Sequence, residues 1–185
     1  MLFNRHGFHE KTHGEDHLII MNIRKATEQD FPRMMEIYAY ARDFMARTWN
    51  PNQWGPTCWP PEALIHQDIR DQHSYVCLND AGEIIGTFFF QSGHAVEPTY
   101  QQIDSGAWIG NEEYGVVHRI AGDGSEKGIG AFCLGWAYDQ RGHLRIDTHT
   151  DNVVMQGLLS KLGFQACGII YVHEDKAPRI AYEKL

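Results

Sequence analysis

The stretch from Tyr114 to Arg141, YGVVHRIAGDGSEKGIGAFCLGWAYDQR, limits the possible folds more than any other part of the chain. YGVVHRIA has the β-branched, apolar character of a strand. It runs into a loop with glycine at 122, 124, 128 and 130, then into a helical stretch, AFCLGWAYDQR, stopped by Gly142. A strand delivered through glycines into a helix is half of a β-α-β unit, so the back half of the chain must contain a helix packed on a sheet. The same junction makes an anion site. The first amides of a helix have no intrahelical acceptor, and the helix dipole favours negative charge there. Glycine at 128 and 130 admits close approach of a phosphate, and Lys127 adds a cation at the mouth.

Three phosphate or nucleophile motifs fail on spacing. A Walker A loop needs GxxxxGK[ST], but Lys127 lies between Glu126 and Gly128. Gly122, Gly124 and Gly128 miss the dinucleotide GxGxxG pattern by one position. Gly124 adjoins Ser125, where a GxSxG elbow needs a glycine two residues earlier.

Around this unit the pattern is regular. Leu18 to Ile23 reads as a strand, and a helix with Phe31, Met34, Met35, Tyr38 and Met45 at helical spacing runs to about Ala46, starting at Thr27 or, given Pro32, capped by Asp30. RTWNPNQWGPTCWPP, residues 47 to 61, is an irregular loop, followed by a helix from about Pro61 to Gln72. SYVCLND and IIGTFFF form a hairpin through Gly82, and a longer connection covers residues 92 to 112. After the central unit come the strand LRIDTH, a helix VVMQGLLSKL capped by Asp151-Asn152, and two strands, FQACGIIYVH and PRIAYEKL. The order β-α-α-β-β-β-α-β-α-β-β predicts an α/β fold with a mixed sheet and helices on both faces.

Composition narrows the partners. A net charge of −8 lacks the basic footprint of a nucleic-acid binder, and no apolar run is long enough to cross a bilayer. The first twenty residues carry no apolar signal region, so a cytoplasmic address is expected. His6, His9, His13 and His17 recur at helical spacing, yet Gly7 and Gly14 interrupt them. Residues 1–20 are expected to be a flexible leader before one domain at 21–185. No metal is expected, since no HxxEH-like spacing occurs, and the four cysteines show no CxxC pattern and read as free thiols.

Ser125-Glu126-Lys127-Gly128-Ile129-Gly130 resembles the [Q/R]xxGx[G/A] acyl-CoA loop of the GNAT superfamily of N-acetyltransferases, with Ser125 departing from its first position. LRIDTHTDNVVMQGLLSKLGF, residues 144–164, resembles that family's strand, asparagine, helix and Gly-Phe, and IRKATEQDFPRMMEIY looks like its opening strand and helix. The similarity runs over about residues 22 to 185. It implies a mostly antiparallel mixed sheet with helices on both faces, acetyl-CoA as co-substrate, and direct attack of a primary amine, expected to be on a small molecule. Homodimers are common in the family.

The resemblance implies a cofactor set of Ile120, Ala121, Ser125, Glu126, Lys127, Gly128, Ile129, Gly130 and Asn152. His118 is the candidate base. Period two puts it on one face with Tyr114, Val116 and Ile120, with Arg119 pointing the other way; the alternative is a structural histidine. Leu159 occupies the place of the family's proton-donating tyrosine. Tyr114, Cys167, Tyr171 or a water stays open as the acid, and a noncatalytic acyl-CoA sensor is the alternative function. Trp49, Trp54 and Trp59 border the expected acceptor pocket, as ammonium faces or as loop staples.

Overall fold

The computed structural model describes residues 6–8, 19–172 and 176–185. Its strands are β1 (His6–Phe8), β2 (Ile19–Lys25), β3 (Ser74–Leu78), β4 (Ile84–Gly93), β5 (Tyr114–Gly122), β6 (Leu144–His149), β7 (Gln165–Tyr171) and β8 (Pro178–Lys184). The helices are α1 (Phe31–Arg47), α2 (Glu62–Arg70), α3 (Ile129–Arg141) and α4 (Val153–Lys161). The sheet order is β1-β2-β3-β4-β5-β6-β8-β7, with β5 and β6 parallel and every other pair antiparallel. The sheet is therefore mixed and mostly antiparallel, as expected. Of the expected leader, His6–Phe8 pairs with Ile19–Met21, while His9, His13 and His17 lie outside the described residues.

The amphipathic helices cover both faces. Met34, Ile37, Tyr38 and Ala41 of α1 pack with Ile65 and Ile69 of α2 on one face. Ile129, Phe132, Cys133 and Ala137 of α3 pack with Leu159 of α4 on the other. Helix α1 starts at Phe31 with Asp30 at its N-cap, the later of the two expected starts. The Asp30 carboxylate accepts from Thr27 N at 2.8 Å and from both Arg24 guanidinium nitrogens, so it closes the turn before the helix. Helix α3 starts earlier than expected because Gly128 takes φ +82 and itself caps it.

Two departures from regular pairing shape the centre. The β5–β6 ladder contains only Gly115↔Leu144 and Val116↔Arg145, after which the strands diverge. On the other edge of β5, Ala121 opposes Thr87 while His118 opposes Phe89, so Arg119 and Ile120 together face Phe88. This is a β-bulge, and Arg119 takes φ +52 to make it.

The base of the divergence is tied by buried charges. Glu183, fully buried, accepts from Arg145 Nε at 2.8 Å, His143 Nε2 at 2.7 Å and the amides of Ile109 and Gly110. Arg145 lies between the rings of Trp108 and Tyr114 at 4.3 and 4.2 Å. Burial pushes the Glu183 carboxyl up, but Arg145, His143 and the Ile109 amide outweigh it and hold it below its ordinary value.

Candidate active site

A cleft of about 530 Å³ opens where β5 and β6 part. Val117 to Ile120 form one wall and Ile146 to Thr148 the other; Trp54 and Trp59 come from the loop after α1, and Asn152 and Met155 from the start of α4. Beyond Val116 the β5 edge turned toward β6 has left its ladder, so its backbone groups face the cleft.

His118 lines this space between two carboxyl groups. Its Nε2 lies 2.8 Å from Glu97 Oε2 and its Nδ1 4.0 Å from Asp147 Oδ1. Glu97 also accepts from Thr99 Oγ1 at 2.7 Å and Thr99 N at 3.0 Å. Burial pushes the Glu97 carboxyl up, but the hydrogen bond and charge of His118, with Thr99, bring it down to about 2. An ionised Glu97 can only accept, so Nε2 carries a proton, and Nδ1 is the ring position left to exchange one with a substrate. Asp147 accepts from Tyr100 OH at 2.7 Å. Burial raises its carboxyl, and His118, Tyr100 and Arg179 offset this only in part.

The Glu97 shift has a sign that can be checked. A depressed carboxyl contributes stability that is fully present above its ordinary 4.5 and is lost as pH falls toward about 2. Glu97→Gln is therefore expected to flatten the acid limb of stability in that window. Thermal melts of both chains across the limb measure it; parallel limbs would contradict the pairing.

The bulge corrects the period-two reading of β5. Tyr114, Val116 and His118 do share a face, since Tyr100 packs on both Tyr114 and His118. Ile120 does not: its side chain packs with the α3 core on the opposite side. Arg119 does not point the other way either. Its guanidinium lies over Phe89 at 4.6 Å, the ring that His118 also meets, tilted, at 5.8 Å, and it pairs with Asp68 of α2 at 2.8 Å. One extra residue inverts the alternation after His118.

The other expected site residues separate into groups. Tyr114 is buried beside Arg145 and His143 and is not among the residues that line the cleft. Cys167 is buried beside Glu183, and Tyr171 is half-exposed at the end of β7. Leu159 is fully buried in the core. Ala121 is buried against the α1 side, and the Ile129 side chain is buried in the α3 core, so only its backbone is available to the loop. Ser125 donates both its amide and hydroxyl to Asp123, which pairs with Arg33 at 2.6 Å. With Glu126 it borders a second hollow, shared with Arg24 and Arg33. Lys127 is exposed at the loop. Asn152 Oδ1 caps α4 at Met155 N, and its Nδ2 donates to Gln53 at 2.9 Å. Trp54 and Trp59 line the cleft, whereas Trp49 is 89% exposed and does not.

The first α3 bond from outside the helix runs from Phe132 N to Gly128 O, so the amides of Ile129, Gly130 and Ala131 precede the ladder and are available to an anion. A Cβ on Gly130 would lie 3.1 Å from Leu158 Cδ2, so α4 already crowds that position. Sequence reasoning missed Tyr100, Asp147 and Thr148. An aspartate inside the apolar strand LRIDTH was the available signal for Asp147, because lone buried carboxylates are rare. Among the described residues, no cluster of three or more His, Cys, Asp or Glu is arranged to hold a metal, and no helix is long and apolar enough to cross a membrane.

No protein-family model matches the chain, and no curated protein does. Solved structures do. A GNAT-family acetyltransferase from Streptococcus agalactiae is 31% identical, with a TM-score of 0.79 over 89% of this chain and 95% of that one. A GNAT-family acetyltransferase from Listeria monocytogenes shares the fold at 15% identity and TM-score 0.66, over 90% of this chain and 95% of that one. A GNAT superfamily phosphinothricin acetyltransferase from Sinorhizobium meliloti, solved in complex with AcCoA, shares it at 14% identity and TM-score 0.58, over 89% and 87%. Because the Streptococcus agalactiae acetyltransferase is 31% identical and matched over 95% of its length, the chain belongs to the GNAT family of acetyltransferases.

Proposed function

We propose that the protein is an N-acetyltransferase that moves the acetyl group of acetyl-CoA to a primary amine of a small molecule, in one ternary complex. The observation that carries this reading is His118 in the cleft, with Glu97 on Nε2 and Asp147 near Nδ1. Acetyl-CoA supplies the activated acetyl thioester. The amides of Ile129, Gly130 and Ala131 are suited to its pyrophosphate, and the open β5 edge to the amide groups of its pantetheine arm. Asn152 is suited to the same arm once its Nδ2 exchanges Gln53 for it. Backbone amides on the β5 edge near Ile120 polarise the carbonyl.

The amine arrives mostly as an ammonium, drawn by Glu97 and Asp147 and by the face of Trp59. Nδ1 of His118 takes its proton, and the resulting imidazolium lies between the two carboxylates. The test is release of free thiol from acetyl-CoA across a panel of primary amines, with the products identified by mass. Amine-dependent release is expected; binding of acetyl-CoA without turnover on any amine would favour a noncatalytic acyl-CoA sensor instead.

Gly128 gives a further check. At φ +82 an alanine is strained by about 1–2 kcal/mol, which the loop relieves by moving the α3 amides. Gly128→Ala is expected to weaken acetyl-CoA binding roughly tenfold, with the helical circular dichroism unchanged. Calorimetry measures it, and unchanged affinity would argue against the loop as the anion site.

A further inference from the structure

Among the hydroxyls that line the cleft, Thr148 stands apart. Thr57 lies in the exposed loop, and Thr99 donates to Glu97 at 2.7 Å. Thr148 is 1% exposed, and its Oγ1 has no hydrogen-bond partner among the described residues. Buried hydroxyls are ordinarily partnered, and an unpartnered one on a residue that lines a cleft is a group that a ligand seated there completes. Its position is specific. Along β6 the side chains alternate, so Thr148 shares the side of Ile146, which packs with α3 and α4, while Asp147 faces His118 on the other. Thr148 therefore stands opposite the base, on the α4 side where Leu159 is sealed in the core. The Tyr100 hydroxyl, also near His118, is committed to Asp147.

We propose that Thr148 Oγ1–H is the hydrogen-bond donor that stabilises the departing thiolate of acetyl-CoA. This rests on the acetyl-transfer reading. The amine nitrogen forms a bond to the acetyl carbon, the C–S bond breaks, and its electron pair goes to sulfur. The ammonium's first proton has by then passed from His118 Nδ1 to bulk water, and the second, lost by nitrogen as the amide forms, goes to the restored Nδ1. Thr148 donates to the sulfur while keeping its own proton, because a threonine hydroxyl is too weak an acid to lose it. A cleft water protonates the thiolate, and His118 returns its proton to the hydroxide left behind, so the proton lost by nitrogen ends on sulfur.

Thr148→Val keeps the shape and removes the donor. The expected result is a fall in kcat of roughly 10²-fold, as for loss of one preorganised donor, with the acetyl-CoA dissociation constant unchanged. The melting temperature should hold or rise, since an unpartnered buried hydroxyl gives way to a methyl. Thr148→Ser should recover most of the rate. A Thr148→Val chain with wild-type kcat overturns the inference, as does a lowered melting temperature that accounts for the lost activity. Absence of thiol release by the wild type would overturn the acetyl-transfer reading and this inference together; a fully active Thr148→Val beside an active wild type overturns the inference alone.

Discussion

His118→Ala is expected to lower kcat for amine acetylation by about 10²- to 10⁴-fold, the range for loss of a positioned general base. The imidazole lies between two carboxyl groups in the cleft, with Glu97 on Nε2 and Asp147 4.0 Å from Nδ1. It lies away from the amides of Ile129 to Ala131, so acetyl-CoA affinity should stay near that of the wild type. His118→Gln is the more specific variant, because its amide can still donate to Glu97 while it cannot take a proton. The deficit of both variants should shrink as pH rises, since an amine already neutral in solution needs no base. Steady-state rates against pH with a saturating amine measure this. A loss carried by the Michaelis constant for acetyl-CoA, or one that does not change with pH, would return His118 to a structural role.

Arg145→Leu is expected to cost about 3–5 kcal/mol of stability, because it leaves the buried Glu183 carboxylate with an incomplete set of partners. For a chain of this size that corresponds to a fall of roughly 10 °C or more in melting temperature. Arg145 also donates to Gly110 O at 2.6 Å and fills the space between Trp108 and Tyr114. It belongs to the last pair, Val116↔Arg145, before β5 and β6 part, so the cluster holds shut the base of the cleft. The double variant Arg145→Leu with Glu183→Met should regain much of the loss, since a buried ion pair is often replaceable by apolar packing. A single variant as stable as the wild type would show that the charges are not coupled.

The order of elements was legible because its signals are local. Period-3.6 spacing in α1, the glycines that end α3 and α4, and the Asn152 cap each act within a turn or two of chain. The chemistry of the cleft was less so, because it depends on contacts distant in sequence. His118 could be singled out on β5, but its partners come from residue 97, in a connection without periodicity, and residue 147, on the neighbouring strand. The bulge at Arg119 and Ile120 has no sequence signal, since neither residue is glycine, and it moved both side chains to faces that simple alternation denies them. The insertion of β8 between β6 and β7 is likewise a pairing choice that no single strand encodes. Ser125 fills a position where the family motif carries Gln or Arg, and here it is engaged with Asp123 inside the loop.

The most direct test of the central claim, that the acetyl thioester lies along the open edge of β5 beside His118, is amide hydrogen exchange with and without acetyl-CoA. Slowed exchange is predicted at residues 117–121 and 128–131, the diverging edge and the first turn of α3. Unchanged exchange in both segments on binding, or protection confined to the hollow bounded by Arg24, Arg33 and Glu83, would contradict it.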